Sequence, residues 1–426
     1  MSTSLDRREF ARLFTLGGSA ALLGHPALAG LRPTPLSAAE LNRGATPDWA
    51  RVREQFLMPR ELSILNAANL CPSPRAVLEG VYRDTERLNR DPVPSYRNEM
   101  HGVKEGTREF LAGHLRVSPE EILVTRNTSE ANNWASNGLD LGPGDEVLIF
   151  ADNHPSNNRA WKGKAERFGY EVREVEQVNP HPGMEYYVEA FRRAITPRTK
   201  VIAFTHLTSS VGDLFPAREL CRMASELGVI SVVDGAQSFG LVDVDLSDMQ
   251  PDFYSGSAHK WPCGPKETGV LFVNARVQDR FWPSIYSAYS GRVGLSRTHE
   301  GMGQRDEPAI KAFGSQLEFL KDIGQGEIEK RSHELTEALI EGLGSIDDVT
   351  IWTSPDPTLR LALCSFRPGN LESRKVIAAL ETDGIVAAGR GDGDRGGVRF
   401  SPHFYNTFED IDRAVASIGR YVRTGL

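Results

Sequence analysis

The fold is decided by the stretch Val229-Ile-Ser-Val-Val-Asp-Gly-Ala-Gln237, an apolar run that ends in an aspartate. A second stretch, Ser255-Gly-Ser-Ala-His-Lys260, ends in a lysine 26 residues after Asp234. Short apolar runs of the same kind alternate with helical segments, at Glu121–Thr125, Asp145–Phe150, Tyr170–Val175, Lys200–Thr205 and Gly269–Val273. This alternation predicts an α/β fold with a mostly parallel sheet covered by helices on both faces.

The C-terminal part of the chain has a different pattern. From about residue 330 the sequence predicts a helix, two strands, a helix, a strand and a helix, an order typical of a smaller α+β domain. We therefore predict a large domain over residues 66–325 and a small C-terminal domain over residues 326–426. An N-terminal arm and linker, residues 30–65, precedes them.

Polar residues cluster directly after the predicted strands. The clusters are Asn127–Glu130, Asp152–His154, His206, Asp234–Gln237 and Ser255–Lys260. Because ligands of open parallel sheets bind beyond the carboxyl ends of the strands, these clusters predict one binding site at that edge.

The residue types in three of these clusters suggest a particular chemistry. Asp234 ends an apolar strand, where a carboxylate needs a partner such as a pyridinium nitrogen; the alternative is a helix N-cap. A desolvated Lys260 has a lowered pKa and can form a Schiff base, whereas the alternative is a solvated surface lysine. The segment Asn127-Thr-Ser129 opens a helix and can seat a phosphate, or it can simply cap the helix.

On these residues the sequence resembles the class V aminotransferase family of fold-type I pyridoxal-phosphate enzymes, and within it the isopenicillin N epimerases. The resemblance covers roughly residues 60–420 and is carried by Val232–Gln237 and Ser257–Lys260. It implies that Lys260 holds pyridoxal 5'-phosphate as an aldimine, that Asp234 pairs with the pyridinium nitrogen, and that His154 stacks on the ring. The other cofactor contacts that it implies are Asn127, Thr128, Ser129, His206, Gln237, Ser257, His259 and Gln304.

The resemblance also implies a substrate site and a partner. Arg399 would grip the α-carboxylate of an amino-acid substrate, a role that suits the guanidinium fork. Apart from the resemblance, we expect Asn66 and Arg390 to contribute to substrate binding from their loops, Arg390 by its charge; the alternative for the glycine-rich loop of Arg390 is a plain hairpin loop. The loop Glu300–Asp306 would reach into the phosphate site of a neighbouring subunit, so a homodimer with active sites at the interface is expected. This chain departs from the family pattern at Gln304, which is usually threonine, and at Ser209, where many relatives have asparagine.

The reaction that the resemblance favours is epimerisation at the Cα of an amino acid, with Lys260 removing the Cα proton. An aminotransferase or a carbon–sulfur lyase acting on a cysteine-derived substrate is the alternative, because both would use the same residues. A non-catalytic binding protein is a remote alternative. A cysteine desulfurase is disfavoured, since residues 384–400 contain no cysteine for a persulfide.

Composition and the N-terminus set the remaining limits. A net charge of −8 over 426 residues disfavours nucleic-acid binding, and four cysteines without a Cys-x-x-Cys pair predict no metal site. Residues 1–29 resemble a twin-arginine signal peptide, with Asp6-Arg-Arg-Glu-Phe10 and the cleavage pattern Ala27-Leu-Ala29. We therefore expect a periplasmic mature chain without a membrane span; the alternative is a disordered start with a chance arginine pair.

Overall fold

The computed structural model describes residues 46–426. The predicted signal peptide and the first part of the predicted linker lie outside the described residues. Between residues 46 and 426, no helix is both long and apolar enough to cross a lipid bilayer.

Strands and helices alternate between residue 46 and about residue 300, as the sequence predicts. The strands are β1 (Ser63–Ile64), β2 (Ile122–Thr125), β3 (Glu146–Phe150), β4 (Glu171–Val175), β5 (Thr199–Thr205), β6 (Ile230–Asp234), β7 (Phe253–Ser257) and β8 (Gly269–Val273). The helices are α1 (Trp49–Glu54), α2 (Arg75–Arg90), α3 (Pro94–Leu115), α4 (Thr128–Gly138), α5 (Pro155–Phe168), α6 (Met184–Ala194), α7 (Ala217–Glu226), α8 (Leu246–Met249) and α9 (Ser296–His299). Short 3₁₀ helices lie at Pro119–Glu121 and Ala275–Arg280.

Seven of these strands form the central sheet, in the order β2-β8-β7-β6-β5-β3-β4. Strand β8 runs antiparallel to its neighbours β2 and β7, and the other adjacent pairs are parallel. The prediction of a mostly parallel sheet in an α/β fold is therefore confirmed.

Except at the edge strand β4, the sheet is buried on both faces, which explains its nearly continuous apolar strands. Successive residues of β3 show the alternation, because Ile149 packs into one hydrophobic core and Phe150 into the other. Helices cover each face, so that the strand interiors need no polar side chains. The polar clusters then follow where β2, β3, β6 and β7 end, all at one edge of the sheet.

The C-terminal part contains a second sheet. Helix α10 (Glu307–Ile323) still packs into the core of the central sheet, through Ile310, Phe313 and Leu317. The helices beside the second sheet are α11 (Gln325–Gly344), α12 (Ser373–Thr382) and α13 (Phe408–Thr424), and a 3₁₀ helix lies at Pro357–Leu359. The strands of the C-terminal part are β9 (Val349–Ile351), β10 (Cys364–Pro368), β11 (Ile385–Val386), β12 (Ala388–Gly389) and β13 (Val398–Phe400). The antiparallel order β12-β13-β10-β9 encloses a core that includes Phe366, Leu380, Phe400 and Ile418.

One detail differs from the sequence prediction. Three short strands, not one, lie between α12 and α13, because β11 leaves the four-stranded sheet and pairs in parallel with β1. This pairing brings Asn66, just after β1, beside the C-terminal sheet, where it forms a bridge with Ser401. The domain boundary at residues 325 and 326 stays a prediction.

Candidate active site

A cavity of about 610 Å³ lies at the carboxyl edge of the central sheet. It collects most of the site residues expected from the sequence: Asn66, Asn127, Thr128, Ser129, His154, Asp234, Gln237, Ser257, His259, Lys260, Arg390 and Arg399. We call the cavity residues at or just after the ends of β2, β3, β6 and β7 the strand-end wall: Asn127, Thr128, Ser129, His154, Asp234, Gln237, Ser257, His259 and Lys260, together with the residues between them that line the cavity. Asn66, Ser209, Ala387–Arg390 and Arg399 form the second wall.

Asp234 is the buried carboxylate of the strand-end wall, with 2% of its surface exposed. Its Oδ2 accepts a hydrogen bond of 2.8 Å from the Asn132 amide, and its Oδ1 accepts one of 3.0 Å from the backbone of Ala236. No ion pair among residues 46–426 includes it. A buried carboxylate held by neutral donors alone lacks a positive partner, and a ligand cation in the cavity would supply one.

Lys260 lies in the same wall, in the turn after β7. Among the described residues, no hydrogen bond or ion pair involves its Nζ atom. Burial lowers the pKa of Lys260 to about 8, against the opposing charge of Asp234 and with help from Arg399. The lysine is therefore an unpaired amine that is neutral in roughly one molecule in ten at pH 7, far more than an ordinary lysine, and it can act as a nucleophile or a base in that form.

The N-terminus of helix α4 provides an anion-binding site. Asn127 caps the helix by accepting the Glu130 N–H, so its capping role is observed directly. Thr128 and Ser257 place their hydroxyl oxygens 2.8 Å apart at the cavity, and the backbone N–H of Thr128 also donates to the Ser257 hydroxyl. These hydroxyls and the helix N-terminus together suit a phosphate group.

Hydrogen bonds or burial determine the orientation or the protonation state of three further residues of the strand-end wall. Gln237 donates to the carbonyl of Ala68 and accepts from the Trp261 indole, which fixes its amide at the cavity. Burial lowers the pKa of His259 to about 4, so that this ring is neutral at pH 7. His154 accepts the Ser156 N–H through Nδ1 and thereby caps α5, while its ring lines the cavity.

Arg399 is the central residue of the second wall. Its Nη1 donates to the carbonyl of Ser209 at 2.7 Å, and its Nη2 donates to Oδ1 of Asn66 at 3.3 Å. Its buried Nε has no hydrogen-bond partner among the described residues. Burial, and then the charge of Arg390, lowers the pKa of Arg399 to about 10, which leaves it cationic at pH 7. A buried guanidinium with only neutral partners is a fitting site for a ligand carboxylate.

The structure corrects the expectation for His206. This residue follows β5, but it does not line the cavity; it lines a separate cavity with Phe215 and Pro216. Successive side chains of a strand point to opposite faces of the sheet, so His206 continues the face of Phe204, which packs into a hydrophobic core. Thr205, on the other face, lies opposite Asp234 in the register of β5 and β6. Since burial also lowers the pKa of His206 to about 4, it is a neutral core histidine.

Gln304 also lies away from the cavity. Its side chain is exposed, and its Oε1 accepts a hydrogen bond of 2.9 Å from Arg97. Within one chain it therefore makes no contribution to the site. The expectation that its loop completes a neighbouring subunit's phosphate site stays a prediction.

Asn132 is a site residue that the sequence analysis missed. It is buried, lines the cavity, and bridges Asp234 to Ser255, whose hydroxyl donates to the side-chain Oδ1 of Asn132 at 2.7 Å. Helical spacing was the available signal, because Asn132 lies one turn after Thr128 and so faces the same edge. The Ser209 carbonyl was missed for another reason: backbone groups leave no trace in side-chain patterns.

The residues present fit pyridoxal phosphate. Asp234 lacks a cationic partner, Lys260 has an unpaired amine, and the hydroxyls of Thr128 and Ser257 converge at a helix N-terminus. These three features match the pyridinium nitrogen, the aldehyde and the phosphate of the cofactor. The guanidinium of Arg399, which lines the cavity and has no anionic partner among the described residues, then remains for a substrate.

Comparisons with known proteins identify the family of the chain. The family model "Aminotransferase class-V" matches residues 71–414. Isopenicillin N epimerase of Amycolatopsis lactamdurans is 30% identical over 394 residues, which cover 87% of this chain and 98% of the relative. A probable cysteine desulfurase of Methanothermobacter thermautotrophicus is 29% identical, over 84% of this chain and 94% of the relative.

The fold is also found among solved structures. A cysteine desulfurase from Thermococcus onnurineus superposes with a TM-score of 0.79 at 23% identity, covering 88% of this chain and 98% of that one. At this identity the likeness concerns the fold. The family match over most of the chain goes further: this chain belongs to the class V aminotransferases, a family of pyridoxal-phosphate-dependent enzymes.

Proposed function

We propose that this enzyme epimerises an amino-acid substrate at Cα. The observation that carries the proposal is the pairing, in one cavity, of an unpaired Lys260 amine with a buried Arg399 that has no carboxylate partner among the described residues. The similarity to two isopenicillin N epimerases, at 30% and 28% identity, favours epimerisation over other reactions at Cα.

Each residue has a physical task in this proposal. Bound pyridoxal phosphate acts as an electron sink that acidifies the Cα–H bond of an amino acid. Arg399 holds the substrate carboxylate by charge-assisted hydrogen bonds, and Asn66 and the Ser209 carbonyl keep the guanidinium oriented. Lys260, as a neutral amine, accepts the proton from Cα on one face, and a proton that comes from solvent returns to the opposite face, which completes the inversion and introduces the deuterium label of the test below. Asp234 supports a protonated ring nitrogen, with Asn132 and Ala236 fixing its two oxygens.

The cysteines argue against the desulfurase activity named for other relatives. A desulfurase needs a thiol that reaches the substrate sulfur. All four cysteines of this chain are buried, and none of them lines the cavity. The segment between β12 and β13, residues 390–397, contains no cysteine.

The test is a panel of L- and D-amino acids and short peptides with a free α-amino group, incubated with the enzyme in deuterium oxide. Chiral chromatography and mass spectrometry follow the configuration and the isotope at Cα. Epimerisation predicts loss of optical purity with one deuterium at Cα, and Lys260→Ala abolishes it. Release of a keto acid, or of a sulfur species from a cysteine derivative, would instead assign an aminotransferase or a carbon–sulfur lyase.

The proposal also covers the oligomeric state and the cellular location of the enzyme. We propose a homodimer in which the loop containing Gln304 completes the partner's site, and export to the periplasm by the signal at residues 1–29. Light scattering measures the first, and a mass near one chain would contradict it. Fractionation of cells making the full chain, with Arg7→Lys and Arg8→Lys as the export-defective control, measures the second.

A further inference from the structure

Two buried thiols lie together behind the Lys260 turn. The sulfur atoms of Cys71 and Cys263 are within 4.8 Å of each other. Cys71 is 5% exposed and Cys263 is fully buried. The other two cysteines, Cys221 and Cys364, pack in separate hydrophobic cores. Of the four, these two alone are neighbours.

Two hydrogen bonds hold the backbone segment of Cys71 close to the backbone segment of Cys263. The Cys71 N–H donates to the carbonyl of His259 at 2.8 Å, and the Ser73 hydroxyl donates to the carbonyl of Gly264 at 3.1 Å. These two bonds hold the two segments side by side on both sides of the thiols. A disulfide requires such a short backbone separation, since the Cα atoms must lie within about 7 Å of each other.

A metal site is the competing interpretation, because His403 is the third member of the cluster. Both of its ring nitrogens are already in hydrogen bonds, Nε2 with the Trp261 carbonyl at 2.6 Å and Nδ1 with the Ser332 hydroxyl at 3.1 Å. With one nitrogen donating and the other accepting, the ring has no free lone pair for a metal. Two thiols alone do not complete the tetrahedral set of a structural zinc site.

We propose that Cys71 and Cys263 form a disulfide that joins the segment Asn66–Cys71 to the turn that carries Lys260. Both joined segments line the active-site cavity, through Asn66 and Asn69 on one side and through Lys260 on the other. The cross-link would hold the two segments in the arrangement that the cavity requires. The proposal is independent of the reaction that the cavity catalyses.

The oxidant in this step is a low-molecular-weight disulfide such as oxidised glutathione. The sulfur of Cys71, the more exposed thiol, attacks it and forms a mixed disulfide, and one glutathione leaves as a thiol. The sulfur of Cys263 then attacks the Cys71 sulfur, and the second glutathione leaves. The protein loses two protons and two electrons, which the two glutathiones take up. Burial, and then contact with Cys71, raises the pKa of Cys263, so we expect slow exchange.

The test uses the holoenzyme of natural sequence, equilibrated in buffers from fully reduced to fully oxidised glutathione. Free thiols are then alkylated in denaturant and the protein is cut with trypsin. We expect peptides 61–75 and 261–266 to become linked in oxidising buffers, while Cys221 and Cys364 stay alkylated as internal controls. Four alkylated thiols in the most oxidising buffer, or a linkage that includes Cys221 or Cys364, would overturn the proposal.

Thermal unfolding provides a second measurement. We expect the midpoint of the oxidised enzyme to be several degrees above that of the reduced enzyme, because the link closes a long loop in the unfolded chain. Cys71→Ala should abolish this difference, and the matched variant Cys221→Ala, which also truncates a buried thiol, should retain it. Equal midpoints for the oxidised and reduced natural enzyme would contradict a cross-link that stabilises the cavity.

Discussion

The two walls of the cavity are built on different principles. The strand-end wall places its functional groups where buried strands end. Its Asp234, Thr128 and Ser257 are buried; Thr128 donates to Ser257, and Asp234 accepts a hydrogen bond from a neighbouring side chain of the same wall. The second wall combines segments distant in sequence, and it ranges from the buried Arg399 to the exposed Arg390. The first wall, with its fixed and buried groups, suits a cofactor that stays bound through every turnover. The second wall, which combines a buried and an exposed arginine, suits the recognition of a substrate.

The largest effect should come from Lys260→Ala in the strand-end wall. We expect the visible absorbance of the bound cofactor to disappear and turnover to fall by roughly 10³-fold or more, because this removes both the covalent anchor and the base. Absorbance spectra and turnover rates measure the two effects. The control is Lys266→Ala, an exposed lysine in the same turn. Turnover near the natural rate in Lys260→Ala would remove the lysine from the mechanism.

Asp234→Asn should be next in size. The amide preserves the shape but removes the negative charge that supports a protonated ring nitrogen, so turnover should fall on the order of 10²-fold. Cofactor absorbance should persist, since Lys260 and the phosphate seat are unchanged. Turnover measured at saturating cofactor is the readout, with the exposed Asp279→Asn as control. A loss of less than about threefold would contradict the pairing with the ring.

Arg399→Lys tests the second wall. Lysine keeps the charge but loses the planar fork and its bonds to Ser209 and Asn66, so KM should rise by about 10–100-fold. The cofactor spectrum should stay unchanged, which separates this wall from the first. Steady-state kinetics give the KM, and a spectral change without a change in KM would reverse the assignment of the two walls.

The pH dependence of cofactor uptake tests the state of Lys260. With its pKa lowered to about 8, the lysine is mostly protonated below that pH and neutral above it. Only the neutral amine attacks an aldehyde, so the uptake rate of cofactor-free protein should rise about tenfold from about pH 7 to about pH 9. Stopped-flow absorbance follows the rate. A rise that continues tenfold per unit up to pH 10 would indicate an ordinary exposed lysine.

Arg390→Ala should have the smallest effect. Its side chain is exposed at the rim of the cavity, where a single charge contributes little to binding, so we expect KM to rise by only about two- to fivefold. The loss should be largest for substrates with a second negative group. Kinetics with acidic and neutral substrates test this, and the exposed Arg374→Ala is the control. A uniform loss across substrates would show that Arg390 shapes the loop instead.

The same contrast explains what the sequence could reveal. Groups at strand ends, such as Asp234 and Lys260, follow from the apolar run before them and from the shared edge of parallel strands. The structure instead places His206 in a separate cavity, because its side chain continues the face of Phe204; the neighbouring Thr205 does not line the active-site cavity either. The contact between Arg399 and Ser209 joins residues 190 positions apart through a backbone carbonyl, and no local pattern encodes such a contact.

The central claim is that Lys260 is the residue to which the cofactor is attached. Borohydride reduction of the purified holoenzyme, followed by peptide mapping with mass spectrometry, tests it most directly. The account predicts a cofactor-derived mass on Lys260 in the natural enzyme and on no residue in Lys260→Ala. A modified peptide containing another lysine, or an unmodified Lys260 after loading with pyridoxal phosphate, would contradict it.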